Sequence, residues 1–445
     1  MMLYNNKNDC CGCSACANIC PANAIDMIED NEGFEFPQIN KQNCINCKLC
    51  QKVCPIKTSI HKENLEMQKK HIGIINLQYT NNYGAIIAAA VLEDITRSIV
   101  GSDYIVNTIN YIPNKNFNNK LLKIFDNVKQ WGGWKLYLKA LFPKTTDNSS
   151  KSKRSKRFEI FKNNFLNLSP MYQSASDINS NIRYSAFITG SDIVWAPKKT
   201  DNFRADGYYL RFANKGELKI AYAPSLDNAV NKKLLKIKDK YKSNIQCLDF
   251  ISVREKSNIA FIQSLTDKKV YQCCDPAFLV DADYYDKMIE TSVIIQNNEK
   301  YIYVYILEIN QEIVDYANKL SKEKGLKIFY YSANHSNYEG ASEDCTADGP
   351  AEFLHRLKNA EYVLTNSFHC VVFSLLFKKK FLSFIRSDVS VKSIDLLDDL
   401  NLSNRIANRN NNIDDEINFA EVEKKLSEIR ESSLSYLKMS LDHLN

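Results

Sequence analysis

Two short stretches hold the residues best suited to chemistry. Cys10, Cys13 and Cys16 are each separated by two residues, Cys20 follows after three more, and Pro21 comes next. Cys44, Cys47, Cys50, Cys54 and Pro55 repeat that run 34 residues later. Zinc sites usually pair two-cysteine hooks. A third cysteine per hook and a distal Cys-Pro instead fit a pair of 4Fe–4S cubanes, each needing four thiolates. A double zinc knuckle is the competing assignment. The opening MMLYNNKND has neither a basic nor an apolar segment, so no signal peptide is expected. In a reducing compartment, crowded thiols bind metal rather than form disulfides.

The small residues Gly12, Ser14 and Ala15 let three sulfurs come from one tight loop, and the cysteine before proline turns away toward the other half. That assigns Cys10, Cys13, Cys16 and Cys54 to one cluster and Cys44, Cys47, Cys50 and Cys20 to the other. Cys11 has no ligand position left. The segment between them alternates apolar and polar residues around Asn31-Glu32-Gly33, which predicts a hairpin. Residues 1–60 thus read as a small α+β, ferredoxin-like two-cluster domain, and 61–70 as a linker.

The chain has 445 residues, 44% hydrophobic, enough for two more domains. The longest apolar stretch, YVLTNSFHCVVFSLLF, is interrupted by Asn366 and His369, so no membrane span is expected. The net charge is +6, and residues 151–157, KSKRSKR, carry five positive charges. They show no apolar period and are expected to form a solvated, mobile loop able to meet anionic lipid or acidic polysaccharide. Nothing resembles a helix-turn-helix or an aromatic RNA platform, which argues against nucleic acid. Cys247, Cys273, Cys274, Cys345 and Cys370 lack ligand spacing and are expected to be buried apolar residues. The expected location is cytoplasmic, with a peripheral place at the inner membrane face left open.

From residue 70 the chain alternates strand, loop and helix. KHIGIINL, SAFITG, KIAYAPS, LDFISV and KVYQCC predict a first series of strands; YIYVYIL, LKIFYYS, EYVLT and KKFLSFI predict a second. AIIAAAVLEDI, QEIVDYANKLSKEKG and SFHCVVFSLLF predict helices, and residues 415–443 a closing amphipathic helix. Alternation of this kind implies α/β architecture with parallel sheets. Two α/β domains are expected, 71–290 and 291–445, facing a cleft.

Ligands on such sheets bind at the carboxyl ends of strands. Asn82 and Gly84 open the first helix and could offer N–H groups to a phosphate or carboxylate. Gly190, Ser191 and Asp192 end a strand; Asp192 is either a helix N-cap or a contact to a sugar hydroxyl. Arg254 follows the strand ISV and suits phosphate or carboxylate. His369, in TNSFHC, opens a helix and can carry protons near neutrality. Arg386 and Arg405 complete the strand-end cations.

The segments NLQYTNNYGAIIAAAVL, FITGSDIVWAP, KIAYAPSL, ISVREKSN, CCDPAFLV and VLTNSFHCVVFSLLF, in that order, resemble the polysaccharide pyruvyltransferase family across residues 70–410. A subgroup of that family carries an amino-terminal two-cluster ferredoxin domain, which this chain resembles. The resemblance implies a GT-B-like pair of Rossmann-like halves with the site between them. It implies transfer of the pyruvyl unit of phosphoenolpyruvate to a sugar of a cell-surface polysaccharide or its precursor, nucleotide- or lipid-linked, with His369 in proton transfer and Arg254 on the donor. One departure stands out. Family members carry Arg-Leu-His where this chain has Ser367-Phe368-His369, so one donor-binding cation is missing; Arg386, Lys392 and Arg405 are candidates to replace it. Ketal formation is redox neutral, so the two clusters are either structural or redox-active. The alternative function is an iron–sulfur oxidoreductase or electron-transfer partner in polysaccharide biosynthesis, working with a flavoprotein. A non-catalytic scaffold for polysaccharide assembly is a third reading.

Overall fold

The computed structural model describes residues 10–56, 69–113, 148–180, 182–196, 205–226, 235, 238–294, 299–308, 310–333, 338, 340–385, 391–407 and 412–444. The chain divides into two compact units, Met1–Lys70 and His71–Asn445.

In the first unit, β1 (Ile25–Glu29) and β2 (Glu35–Ile39) pair antiparallel with Ile25 opposite Ile39. The turn between them forms where the sequence predicts it. The Asp30 carboxylate accepts from the N–H groups of Glu32 and Phe34 at 3.0 Å each, and Gly33 takes φ 80°. The two cysteine loops lead into α1 (Ala15–Asn18) and α2 (Leu49–Val53). Gly12 and Ser14 have φ 66° and 55°; Asn46 and Lys48, at the same places in the second loop, have 56° and 60°. Both loops therefore bend in the same left-handed way.

The second unit holds two sheets. The first contains β3 (Lys70–Ile75), β4 (Tyr104–Thr108), β5 (Tyr184–Thr189), β6 (Leu218–Ala221), β7 (Phe250–Val253) and β8 (Val270–Gln272), in the order β4-β3-β5-β6-β7-β8. The second contains β9 (Tyr301–Ile306), β10 (Lys327–Ser332), β11 (Glu343–Asp344), β12 (Tyr362–Thr365) and β13 (Lys380–Ser383), in the order β11-β10-β9-β12-β13. From β3 to β5 and on to β8, and throughout the second sheet, the pairings are parallel. Each sheet therefore reverses direction beside its first strand, giving switch points at β3/β5 and at β9/β12.

The helix after β3, α3 (Tyr83–Val100), buries Glu93 completely. That carboxylate accepts from Thr108 Oγ1 at 2.7 Å and from the Asn167 N–H at 2.9 Å, tying α3 to the edge strand β4. One continuous apolar cluster runs from Ile72 and Ile188 in the first half to Tyr303 and Val363 in the second.

The basic stretch 151–157 lies within α4 (Asn148–Phe165), a helix and not the solvated loop that its composition suggests. The apolar period begins past the charge run, with Phe158 and Phe161 buried. Arg154 also packs inward. Its guanidinium lies 4.9 Å from the Tyr83 ring and 5.2 Å from that of Tyr331, and its Nη2 donates to Asn81 O at 2.7 Å. Arg157 reaches across to the second half, donating to Ala347 O at 2.9 Å and Asp348 Oδ1 at 3.3 Å.

In the second half, α5 (Gln311–Lys324) is capped by the Asn310 side chain and ends at Gly325, φ 65°, as the sequence predicts. It is followed by α6 (Pro350–Asn359), α7 (Phe368–Leu376), α8 (Val391–Asp399) and α9 (Phe419–Leu441). The last helix returns to the first half. Tyr436 Oη donates to Ala221 O at 2.8 Å, Ser433 Oγ accepts from the Cys274 N–H at 2.9 Å, and Arg430 Nε donates to Phe278 O at 2.7 Å. Cys273, Cys274, Cys345 and Cys370 are buried as expected, whereas Cys247 is half-buried, its thiol donating to Ser243 O.

Burial pushes the Asp348 carboxyl up to about 6, against the pull of Arg356 and Arg157. The folded state thus keeps a proton that the unfolded chain, with an ordinary carboxyl near 4, gives up. Stability is expected to fall by about 3 kcal/mol as pH rises from about 4 to 6. Denaturant titrations read by tryptophan fluorescence should show this slope, and Asp348→Asn should flatten it.

Candidate active site

The carboxyl ends of β3, β5 and β12 deliver five of the predicted residues to one place. A cavity of about 230 Å³ is lined from the first half by Asn82, Gly84 and Asp192. From the second half it is lined by Tyr305, Asn366, Ser367, His369, Ser383 and Lys392. Both switch points thus face the same space, as the strand-end rule requires.

His369 is the second residue of α7 and is buried, with its ring against Gly84 at the start of α3. A Cβ on Gly84 would lie 1.9 Å from His369 Cγ and 2.2 Å from Nδ1. Asn82 caps α3, its Oδ1 accepting from the Ala85 N–H at 3.2 Å. The first-half helix and the second-half histidine therefore meet face to face because position 84 has no side chain.

Behind the ring lies Asp275, the residue that stops β8. Its Oδ2 accepts from Arg254 Nη1 at 2.6 Å and from Ser191 Oγ at 3.4 Å, and lies 3.4 Å from His369 Nε2. Its Oδ1 accepts from the Ala277 N–H at 3.1 Å. Burial alone would raise this carboxyl, but His369, Arg254 and the Ala277 N–H together hold it well below the usual range. Arg254 is buried too, with Nε on Glu255 Oε1 at 3.1 Å and its guanidinium 4.4 Å from the Phe368 ring. Burial would lower its pKa, and the charges of Glu255, Asp275 and Asp192 more than reverse that. It lies outside the lining of the main cavity, in a smaller one of about 40 Å³ that shares Phe368 and Lys392 with it. Its Nη2 is buried with no hydrogen-bond partner among the described residues.

Asp192 has φ 73° and ψ −175°, a conformation almost confined to glycine and costing about 1–3 kcal/mol. The surroundings enforce it, because its carbonyl accepts from the N–H groups of Val194 at 2.7 Å and Ser225 at 2.8 Å. Its side chain makes no capping bond to the following turn, so of its two readings the N-cap is not realised. Arg405 is buried away from the cavity lining, its guanidinium donating to the carbonyls of Ile413 and Asp415 at 3.4 and 2.9 Å. Arg386 lies outside the described residues.

Asp275 and Asn366 were absent from the sequence shortlist. Asn366 knits the two strand ends of the second switch point, Oδ1 accepting from the Leu307 N–H and Nδ2 donating to Glu308 O, both at 2.8 Å. Both residues end strands, the same signal that selected Arg254 and Asp192.

In the first unit, Cys20, Cys44, Cys47 and Cys50 border one cavity of about 40 Å³, the set assigned to one cluster. The Ala24 N–H donates to Cys20 Sγ at 3.3 Å, and the Gly12 N–H to Cys10 Sγ at 3.4 Å. The Cys13 thiol is pulled down by the Ala15 N–H and by Cys11. Cys10 and Cys13 act electrostatically on Cys16, and Cys16 and Cys54 are buried. Among the described residues no three ligating side chains sit at the spacing of a single ion. A cubane spreads its four thiolates more widely, and the convergence of Cys20 with the second loop fits that larger group.

The polysaccharide pyruvyl transferase pattern matches residues 82–388, and a 4Fe-4S dicluster domain pattern matches residues 9–58. The chain belongs to the polysaccharide pyruvyl transferase family and carries a 4Fe-4S dicluster domain at its amino-terminal end. No curated protein sequence matches it significantly. Its fold is similar to UDP-GlcNAc 2-epimerase from Neisseria meningitidis, at 9% identity and TM-score 0.42, over 84% of this chain and 94% of that one. The Rickettsia bellii UDP-N-acetylglucosamine 2-epimerase gives 10% identity and TM-score 0.41, over 84% and 99%. Acinetobacter baumannii MurG gives 8% and 0.35, over 84% and 99%. Among the described residues no helix is long and apolar enough to cross a membrane.

Gly84→Ala should leave the protein folded but displace the His369 ring, since the added carbon would sit 1.9 Å from Cγ. A misplacement on this scale is expected to lower turnover about 100-fold. Circular dichroism and steady-state rates of the variant check both halves of that statement.

Proposed function

We propose that the chain transfers the pyruvyl unit of phosphoenolpyruvate onto two hydroxyls of a sugar in a cell-surface polysaccharide or its precursor, releasing phosphate. The observation that carries this reading is the cavity at the two switch points, with His369 at a helix start and Lys392 on its wall. A proton is added to the donor's methylene carbon, leaving C2 electrophilic. A sugar hydroxyl attacks C2 and gives up its proton. The C2–O bond to phosphate then breaks, and the second hydroxyl closes the ketal, its proton leaving with the phosphate.

His369 is the group that holds and moves the proton. The N–H groups at the starts of α3 and α7 offer positive dipole ends to an anion. Lys392 is the only lysine or arginine among the described lining residues, which supports it as the replacement for the arginine missing at Ser367. Arg254 remains the other candidate for the donor's phosphate or carboxylate: its Nη2 has no partner among the described residues, and it lines the smaller cavity that shares Phe368 and Lys392 with the main one. Asp192 and Asn82 lie on the wall left for sugar hydroxyls.

The first unit is proposed to hold two 4Fe–4S clusters through the eight assigned cysteines. Bound there, they would supply one-electron redox capacity or a structural brace. Cys44 and Cys47 are exposed and Ile45 is 66% exposed, which favours access for an electron-transfer partner such as a flavoprotein.

Calorimetric titration with phosphoenolpyruvate should show saturable binding. Loss of a charge-assisted contact is worth about 1.5–3 kcal/mol, so Lys392→Ala should bind about 10- to 100-fold more weakly. Absence of heat at millimolar donor would contradict the donor assignment. Anaerobically prepared protein should carry about eight irons with acid-labile sulfide; two zinc ions without sulfide would contradict the cluster assignment.

A further inference from the structure

We propose that Asp275 is the positioning carboxylate of His369: it keeps Nε2 on the buried side of the ring and presents Nδ1 to the reacting donor and sugar. The inference rests on the proton-transfer role given to His369 above.

Three observations carry it. First, Nε2 is buried and lies 3.4 Å from Asp275 Oδ2, with no completed hydrogen bond among the described residues. The two atoms are within reach but not aligned as a formed hydrogen bond, and catalytic contacts are often poorly aligned until substrate binds. Second, the ring still lines the main cavity, so atoms other than Nε2 reach that space. Third, Gly84 fixes the face of the ring while Asp275 fixes its edge, leaving the imidazole one plane and one preferred tautomer.

Asp275 is more than a counter-ion for Arg254. Glu255, one residue from Arg254, already accepts from its Nε, so a purely structural pairing has its carboxylate without Asp275. The groups that meet Asp275 come from several elements, with the buried Tyr222 after β6 and Cys274 after β8 among them. Arg254 follows β7 and itself carries the charges of Glu255 and Asp192, Ser191 follows β5, His369 opens α7, and the buried Tyr285 faces Asp275 from the segment after β8. Among these only Arg254 and His369 can bring positive charge, and Arg254 is permanently charged. His369 is therefore the partner whose proton state Asp275 can influence.

The step balances through one nitrogen. Protonated Nδ1 gives its proton to the donor's methylene carbon, forming the C–H bond and leaving C2 positive. The neutral ring then takes the proton of the attacking hydroxyl at Nδ1 as the C–O bond forms, which restores the imidazolium. Nε2–H stays toward Asp275 throughout, and the carboxylate offsets the charge of the protonated ring.

The test is 15N NMR of the full cluster-loaded chain labelled at histidine, with the His369 signals assigned by their loss in His369→Gln. The neutral ring should be the Nε2–H tautomer in the wild type. In Asp275→Asn the tautomer preference should weaken, and turnover should fall about 100-fold with donor affinity kept. A wild-type ring protonated at Nδ1 when neutral would overturn the inference, and that measurement stands even if the asparagine variant does not fold. Wild-type tautomer preference retained in a folded Asp275→Asn would also overturn it. The tautomer is read without substrate, so a missing response to phosphoenolpyruvate would sink the donor assignment and leave this inference standing.

Discussion

A carboxylate sealed from water must have cations and donors around it, and Asp275 is the place where that requirement organises this protein. It is 2% exposed, at the end of β8. Arg254 comes to it from β7, Ser191 from β5 and His369 from the second half. Removing Arg254 would leave this carboxylate buried without its permanent counter-charge, a loss of the order of 3–5 kcal/mol. The same demand brings His369, from the second half, to 3.4 Å from a first-half carboxylate.

Around that point the fold works by convergence of strand ends. Two parallel sheets each reverse beside their first strand, and both reversals open on one cavity. Local devices keep the opening in shape. Asn366 bridges two strand ends, Asp192 is held in a strained conformation by two N–H groups, and Gly84 lets α3 approach the ring. The last helix returns to the first half, and Arg157 of α4 reaches the second, so each half is braced by chain belonging to the other.

Much of this was legible in the residues. Strands such as KHIGII and YIYVYI are buried β-branched and aromatic runs, and their type follows from that pattern. The cysteine loops were legible because ligand chemistry imposes their spacing, and the structure places Cys20 beside Cys44, Cys47 and Cys50. Residues 151–157 were misleading. Their charges hide a helix whose apolar face starts at Phe158, and whose arginines find aromatic rings and carboxylates far away in sequence. Asp275 could be seen to end a strand, but its partners lie 21, 84 and 94 positions away. Arg405 looked like a cleft cation and instead ties down two carbonyls of a neighbouring loop, a difference that only packing decides.

The central claim is that the shared cavity receives phosphoenolpyruvate against His369. The most direct measurement follows the ring resonances of His369 in histidine-labelled, cluster-loaded protein while phosphoenolpyruvate is added. The account predicts a saturable shift of those signals, with the histidines outside the cavity unmoved. A His369 signal unchanged at millimolar donor, or a shift confined to other histidines, would contradict it.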